Sequence, residues 1–72
     1  MKYYERLKDV REDRDLKQSD IAKLLQTSQQ QISRWETGLR PMGIEQYIKL
    51  ALYYNLSVDY LLGLTDTPRK LH

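Results

Sequence analysis

The chain has 72 residues, with 12 Lys and Arg against 10 Asp and Glu, and a formal net charge of +2. It has no cysteine and a single His at its end, which excludes disulfides and cysteine-containing zinc sites. Without a clustered acid, base or nucleophile set, and with room for only one small domain, an enzyme is not expected. No apolar run approaches the roughly 20 residues of a membrane span, so a cytoplasmic location without a membrane partner is the simplest expectation.

The first predicted helix covers residues 3–14. Leu7 and Val10 share one apolar stripe, with Tyr3 and Arg14 at its ends, and Arg11 falls on the same side. A guanidinium held against an apolar face needs a partner, because desolvating an unpaired charge costs several kcal/mol.

Two short amphipathic helices joined by a tight corner are predicted over residues 18–36. The small Ala22 would let the second helix cross the first closely, and Ser28 would cap the second helix by accepting from its free amides. The residues expected to face inward are Ile21, Ala22, Leu25, Ile32 and Trp35.

The opposite face of the second helix carries only polar side chains: Gln29, Gln30, Ser33 and Arg34. Amides and guanidinium groups offer paired donors and acceptors that match base edges in the major groove, Gln to adenine and Arg to guanine. Any surface helix has a polar outer face, so the pattern alone is also consistent with a solvated surface.

The rest of the chain predicts a loop at 37–43, a helix at 44–54 and a short helix at 58–62. On the longer of these helices the predicted inward stripe is Ile44, Tyr47, Ile48, Ala51 and Tyr54. The fold class is therefore all-α, a compact five-helix bundle over residues 1–64 followed by a flexible C-terminal tail at 65–72. The predicted core consists of Leu7, Val10, Ile21, Ala22, Leu25, Ile32, Trp35, Ile48 and Ala51.

A set of residues at fixed spacings resembles the Cro/CI-type (XRE family) helix-turn-helix of bacterial and phage regulators: Gln18, Ala22, Ile32, Trp35, Glu36 and Gly38. The resemblance covers residues 4–62 and implies a lambda-repressor-like domain whose helix-turn-helix is formed by helices 2 and 3. It also implies an ion pair between Arg11 and Glu36. The adjacent Gln29 and Gln30 are similar to the recognition helices of lambdoid phage repressors.

Three positions depart from the family pattern. Asp15 and Gln26 stand where members usually have Gly in left-handed backbone, at an expected cost of ~1 kcal/mol each. Lys17 stands where a Ser or Thr usually caps helix 2.

The resemblance implies that double-stranded DNA is the partner. The bases would be read by Gln29, Gln30, Ser33 and Arg34, and phosphates would be held by Lys17, Gln18, Ser28 and Arg40. Such a protein would be a transcriptional repressor that binds a palindromic operator as a homodimer. Val58 and Tyr60 would lie in the two-fold contact. For Tyr60, a place in the core of the monomer is an equal alternative.

A second hypothesis keeps the same fold but a different function. The near-neutral charge and the surplus of tyrosines also suit a protein-interaction module, such as an antitoxin or the regulatory partner of another repressor. In either case no cofactor, metal or small-molecule ligand is expected, because there is no second domain to form a pocket.

Overall fold

The computed structural model describes residues 2–71, which form five helices and no strand. The helices are α1 (Glu5–Asp13), α2 (Gln18–Leu24), α3 (Gln29–Glu36), α4 (Ile44–Tyr54) and α5 (Val58–Leu61). The predicted all-α fold class is confirmed. Met1 and His72, the outermost residues of the predicted domain and tail, lie outside the described residues. None of the five helices is long and apolar enough to cross a membrane.

The core lies where α1 and the α2–α3 pair meet α4 and α5. All of the predicted core residues are buried except Ile48. The structure adds further buried residues from the second half of the chain: Met42, Tyr47, Leu50, Tyr54, Leu56 and Leu61. The prediction was therefore incomplete mainly for α4, α5 and the loops that precede them.

The prediction for Ile48 is wrong, because α4 turns a different face inward. Ile48 is 48% exposed and Ile44 is 62% exposed, whereas Leu50 is 3% exposed. The buried face follows the i, i+3, i+4, i+7 series that starts at Tyr47 and ends at Tyr54, instead of the series that starts at Ile44. Burial raises the pKa of Tyr54 to about 12 and also raises that of Tyr47.

Left-handed backbone closes both α1 and α2, as the family pattern requires. Asp15 and Gln26 each have φ of 55°. The following residues satisfy helix-end carbonyls: the Leu16 amide donates to the Arg11 oxygen over 3.1 Å, and the Thr27 amide to the Ala22 oxygen over 2.9 Å. These are the long-range bonds of the Schellman motif, which glycine normally accommodates.

Gln26→Gly should raise the free energy of unfolding by ~1 kcal/mol, because it removes the steric cost of a Cβ at positive φ. Urea unfolding followed by circular dichroism measures the change. The matched control is Lys23→Gly, an exposed position inside α2 with helical backbone, which should be destabilising by ~1 kcal/mol. A loss of stability in both variants would contradict this role of Gln26.

Segment 65–71, the predicted flexible tail, forms hydrogen bonds with the helical body. The Ser57 amide donates to the Arg69 oxygen over 2.8 Å, and the Leu71 amide to Asn55 Oδ1 over 3.2 Å. Arg6 Nη1 donates to the Thr65 oxygen over 3.1 Å. The segment is nevertheless largely exposed.

Arg6 is the buried charge that sequence reasoning missed. It is 4% exposed, whereas Tyr3 and Arg14, predicted to end the apolar stripe of α1, are exposed. Its guanidinium lies 4.1 Å from the Tyr60 ring centroid and forms a 2.8 Å ion pair with Asp66. The sequence does indicate this burial, because Arg6 lies one turn before Val10 and therefore on the inward side of α1.

Candidate nucleic-acid interface

Packing in the core fixes the orientation of α3 about its own axis. Ile32 is 2% exposed and Trp35 is 8% exposed, so both side chains lie in the core. The helix begins at Gln29 because Ser28 Oγ accepts a hydrogen bond from the Gln31 amide over 3.1 Å. A helix held at its start and along one side presents its opposite face in a defined direction.

That opposite face is open to solvent. Gln29, Gln30 and Arg34 are exposed, and Ser33 is half-buried. Over residues 2–71, no protein group binds the side chains of Gln29, Gln30 or Arg34. Their amide and guanidinium groups are therefore available to an external partner with planar, paired donors and acceptors.

A buried ion pair joins α1 to the last residue of α3. Arg11 Nε donates to Glu36 Oε2 over 2.7 Å, and Arg11 Nη2 donates to Glu36 Oε1 over 3.1 Å. Arg11 Nη1 donates to the Leu16 oxygen over 2.9 Å, so the guanidinium also holds the corner between α1 and α2. The hydrogen bonds to Glu36 raise the pKa of Arg11 above its already high ordinary value. The structure thus brings together the two residues predicted to pair.

Gln18 is the polar link between this pair and the surface. Its Nε2 donates to Glu36 Oε1 over 3.0 Å, and its side chain is only half-buried at the start of α2. An amide nitrogen carries two hydrogens, so one remains for an outside acceptor. Sequence reasoning did not find this contact, because Gln18 and Glu36 are 18 positions apart.

The other residues predicted to hold phosphates lie at the ends of the two helices. Lys17 precedes α2, where its amide donates to Asp20 Oδ2 over 2.8 Å and its side chain is exposed. Ser28 caps α3, and Arg40 follows α3 in an exposed loop, with its amide donating to the Arg34 oxygen over 3.3 Å. Of the residues predicted to bind phosphate, Lys17 and Gln18 therefore lie at the start of α2, Ser28 at the start of α3 and Arg40 beyond the end of α3.

A shallow polar groove separates α3 from α1. It is lined by Tyr4, Glu5, Lys8 and Asp9 on the α1 side and by Gln18, Ser33, Glu36 and Thr37 on the other. The α1 wall carries more negative than positive charge, which disfavours a phosphate on that side. The α1 side of this groove is therefore the less favourable side for a polyanion.

Val58 and Tyr60, predicted for a two-fold contact, are half-buried and pack against the core. The Tyr60 carbonyl accepts from Arg6 Nη1 over 3.2 Å. Much of the Tyr60 surface is therefore buried within a single copy of the chain.

Two helices that cross at a tight left-handed corner, the second anchored inside and polar outside, define a helix-turn-helix domain. Comparison with known proteins agrees: the helix-turn-helix family model HTH_3 matches residues 7–61. The chain belongs to the Cro/CI-type (XRE) helix-turn-helix family.

Similar proteins include two from Bacillus subtilis (strain 168). The chain is 30% identical over 66 residues to the uncharacterized HTH-type transcriptional regulator YobD, with 92% of this chain and 59% of YobD covered. It is 32% identical over 65 residues to the HTH-type transcriptional regulator ImmR, with 90% of this chain and 51% of ImmR covered. A crystal structure of a transcriptional regulator from Listeria innocua matches with a TM-score of 0.81 and 32% identity, over 86% of this chain and 58% of that one. The chain thus spans little more than half the length of these relatives.

Proposed function

We propose that this chain is a sequence-specific double-stranded DNA-binding module of a transcriptional regulator, with α3 placed in the major groove. The observation that supports this most is the set of three unengaged side chains on an internally anchored helix, Gln29, Gln30 and Arg34. Direct readout needs amide and guanidinium groups held at defined positions, because a bidentate contact depends on geometry. Relatives named as transcriptional regulators support the same function.

Phosphate contacts are proposed for Lys17, Gln18, Ser28 and Arg40. Gln18 would donate its second amide hydrogen to a phosphate while the first stays on Glu36, so the buried ion pair would orient the contact. Arg40 would reach the backbone at the other end of α3. These contacts would fix the register of the helix on the duplex without reading sequence.

The proposal extends to a repressor that occludes a promoter as a homodimer on a palindromic operator, in the cytoplasm. Two copies related by a two-fold axis would place two α3 helices in successive major grooves about 34 Å apart.

The alternative function is that of a protein-interaction module. Salt dependence separates the two functions: DNA affinity through ~6 phosphates should fall by ~10³-fold between about 50 and 200 mM salt.

Gln30→Ala should weaken binding to a selected site by ~1–3 kcal/mol and leave non-specific binding and folding unchanged, because one bidentate base contact is lost. Electrophoretic mobility shifts with the selected duplex and a scrambled duplex measure both affinities.

The control for Gln30→Ala is Arg40→Ala, which should weaken binding about equally on both duplexes and reduce the salt slope by ~1. If Gln30→Ala also weakened both duplexes equally, Gln30 would not read a base.

A further inference from the structure

Tyr4, the residue that precedes α1, packs against the backbone just beyond α3. Gly38 has φ of 78° there, and a Cβ added to it would lie 2.5 Å from Tyr4 Cζ, far inside contact distance. The ring can therefore approach this closely only because glycine has no side chain. The Tyr3 ring packs edge-on against the Tyr4 ring, with centroids 5.4 Å apart. These two contacts give the Tyr4 ring a defined position.

The Tyr4 hydroxyl lies beside Gly38 and has no partner in the protein. Its oxygen is bonded to Cζ, one of the three ring atoms nearest to Gly38. Within residues 2–71, the Tyr4 side chain makes a ring contact with Tyr3 and no hydrogen bond. Tyr4 is half-buried and lines the polar groove beside α3. A phenol that is positioned by its ring can offer its hydroxyl to an outside acceptor.

The neighbouring polar groups at this end of α3 are already bonded to each other. Thr37 Oγ1 donates to the Ser33 oxygen over 2.9 Å, and the Arg40 amide donates to the Arg34 oxygen over 3.3 Å. The carbonyls of the last turn therefore have donors of their own. The Tyr4 hydroxyl, in contrast, remains a free donor on the same part of the surface.

We propose that Tyr4 is a further DNA-contacting residue, whose hydroxyl donates a hydrogen bond to a backbone phosphate at the end of α3. This inference rests on the proposed function, in which α3 lies in the major groove and Arg40 contacts the phosphate backbone beyond the same end of the helix. Tyrosine is one of the side chains that donate to phosphates in protein–DNA complexes. The contact would fix the register of this end of α3 without reading a base.

The charges on the α1 wall of the groove limit where this phosphate can lie. The charged residues on that wall are Glu5, Lys8 and Asp9. Their net charge is negative, which disfavours a phosphate directly beside them. Arg11 pairs with Glu36, the last residue of α3, whereas Tyr4 precedes Arg11 by about two helical turns and reaches Gly38 beyond α3. The contact is therefore expected beside Gly38, and it depends on a directional hydrogen bond instead of on net charge.

Tyr4→Phe tests the contact, because it removes the hydroxyl and keeps the ring on Gly38. On the duplex obtained by selection, it should weaken binding roughly fivefold through the loss of one hydrogen bond to a charged acceptor. A scrambled duplex should lose the same factor, and the salt slope should stay unchanged because no cationic charge is removed. The melting temperature should also stay unchanged, since the hydroxyl has no partner in the protein.

The matched control is Tyr3→Phe, the same chemical change in the adjacent ring, which is 47% exposed. It should leave DNA affinity unchanged. An equal loss in both variants would show that the aromatic pair matters and the Tyr4 hydroxyl does not, and would overturn the proposal.

A methylphosphonate scan of the selected duplex identifies the phosphate. Each replacement removes the charge and one of the two free oxygens of a single phosphate. At the phosphate bonded to Tyr4, the replacement should weaken the wild type about fivefold more than it weakens Tyr4→Phe, because the hydrogen bond is already absent in the variant. At the other phosphates, the wild type and the variant should lose affinity equally.

Two failures are distinguishable in these measurements. If the wild type binds the selected duplex and Tyr4→Phe binds it equally well, or if no phosphate shows the coupling, the role of Tyr4 is refuted and the proposed function stands. If the wild type binds no duplex, the proposed function is refuted and the Tyr4 contact with it.

Discussion

Glu36→Ala should lower the free energy of unfolding by about 3–5 kcal/mol, a large part of the stability of a domain this small. The substitution leaves the Arg11 guanidinium, 9% exposed, without the carboxylate that accepts from its Nε and Nη2. Gln18 loses its acceptor as well. The cost comes from a buried charge left unpaired, and it exceeds what the intact pair contributes over an apolar substitute.

Urea unfolding followed by circular dichroism measures this loss. The control is Glu12→Ala, an exposed carboxylate on α1, which should change stability by no more than ~0.5 kcal/mol. Replacing both partners, Arg11→Met with Glu36→Leu, should recover most of the lost stability because no charge remains buried. If Glu36→Ala were as mild as Glu12→Ala, the pair would not anchor α3 to α1.

Ile32→Ala should destabilise the domain by ~2–5 kcal/mol, because it opens a cavity between α3 and the rest of the core. Ile32 is 2% exposed and borders Leu7, Leu25 and Met42 in the interior. The same experiment measures the change, and a shift of the urea midpoint without a change in slope would show that only stability is affected.

The matched control is Ile48→Ala, the same chemical change on the solvent side of α4. With 48% of its surface exposed, Ile48 should lose less than ~1 kcal/mol on truncation. Equal losses at the two positions would contradict the assigned inward faces of α3 and α4.

The contrast between these isoleucines also shows how far periodicity alone can predict the core. In α3, Ile32 and Trp35 are the only large apolar residues, so just one rotation of the helix buries them. In α4, apolar residues occupy most positions, and two overlapping series both satisfy helical spacing. Tertiary packing selects the face that contains Leu50 and Tyr54, which line the same interior space as Ile32, and no local pattern reports that choice.

The polar side chains also differ in how far their surroundings can be predicted from the sequence. The exposed side chains of Gln29, Gln30 and Arg34 could be assigned because facing outward requires only the right helical phase. The burial of Arg6 depends on carbonyls of Tyr60 and Thr65, more than 50 positions away, which a single sequence does not place. The pairing of Arg11 with Glu36 could be predicted only from the Cro/CI-type motif, because the two residues are distant in sequence and their spacing alone does not indicate a contact.

The left-handed corners at Asp15 and Gln26 were predicted from the family pattern against the local preference of the residues. Both adopt φ of 55° despite carrying a Cβ. The hydrogen bonds that close α1 and α2, together with the packing of the two helices, outweigh a local cost of ~1 kcal/mol at each corner.

Selection from a random duplex library at about 150 mM salt, where non-specific phosphate binding is weak, tests the central claim most directly. A sequence-specific DNA-binding module with α3 in the major groove should enrich a defined sequence, and the proposed homodimer should enrich it as an inverted repeat with half-sites one helical turn apart. Failure to enrich any sequence, with the protein shown to be folded by circular dichroism, would contradict the DNA-binding function and favour the protein-interaction alternative.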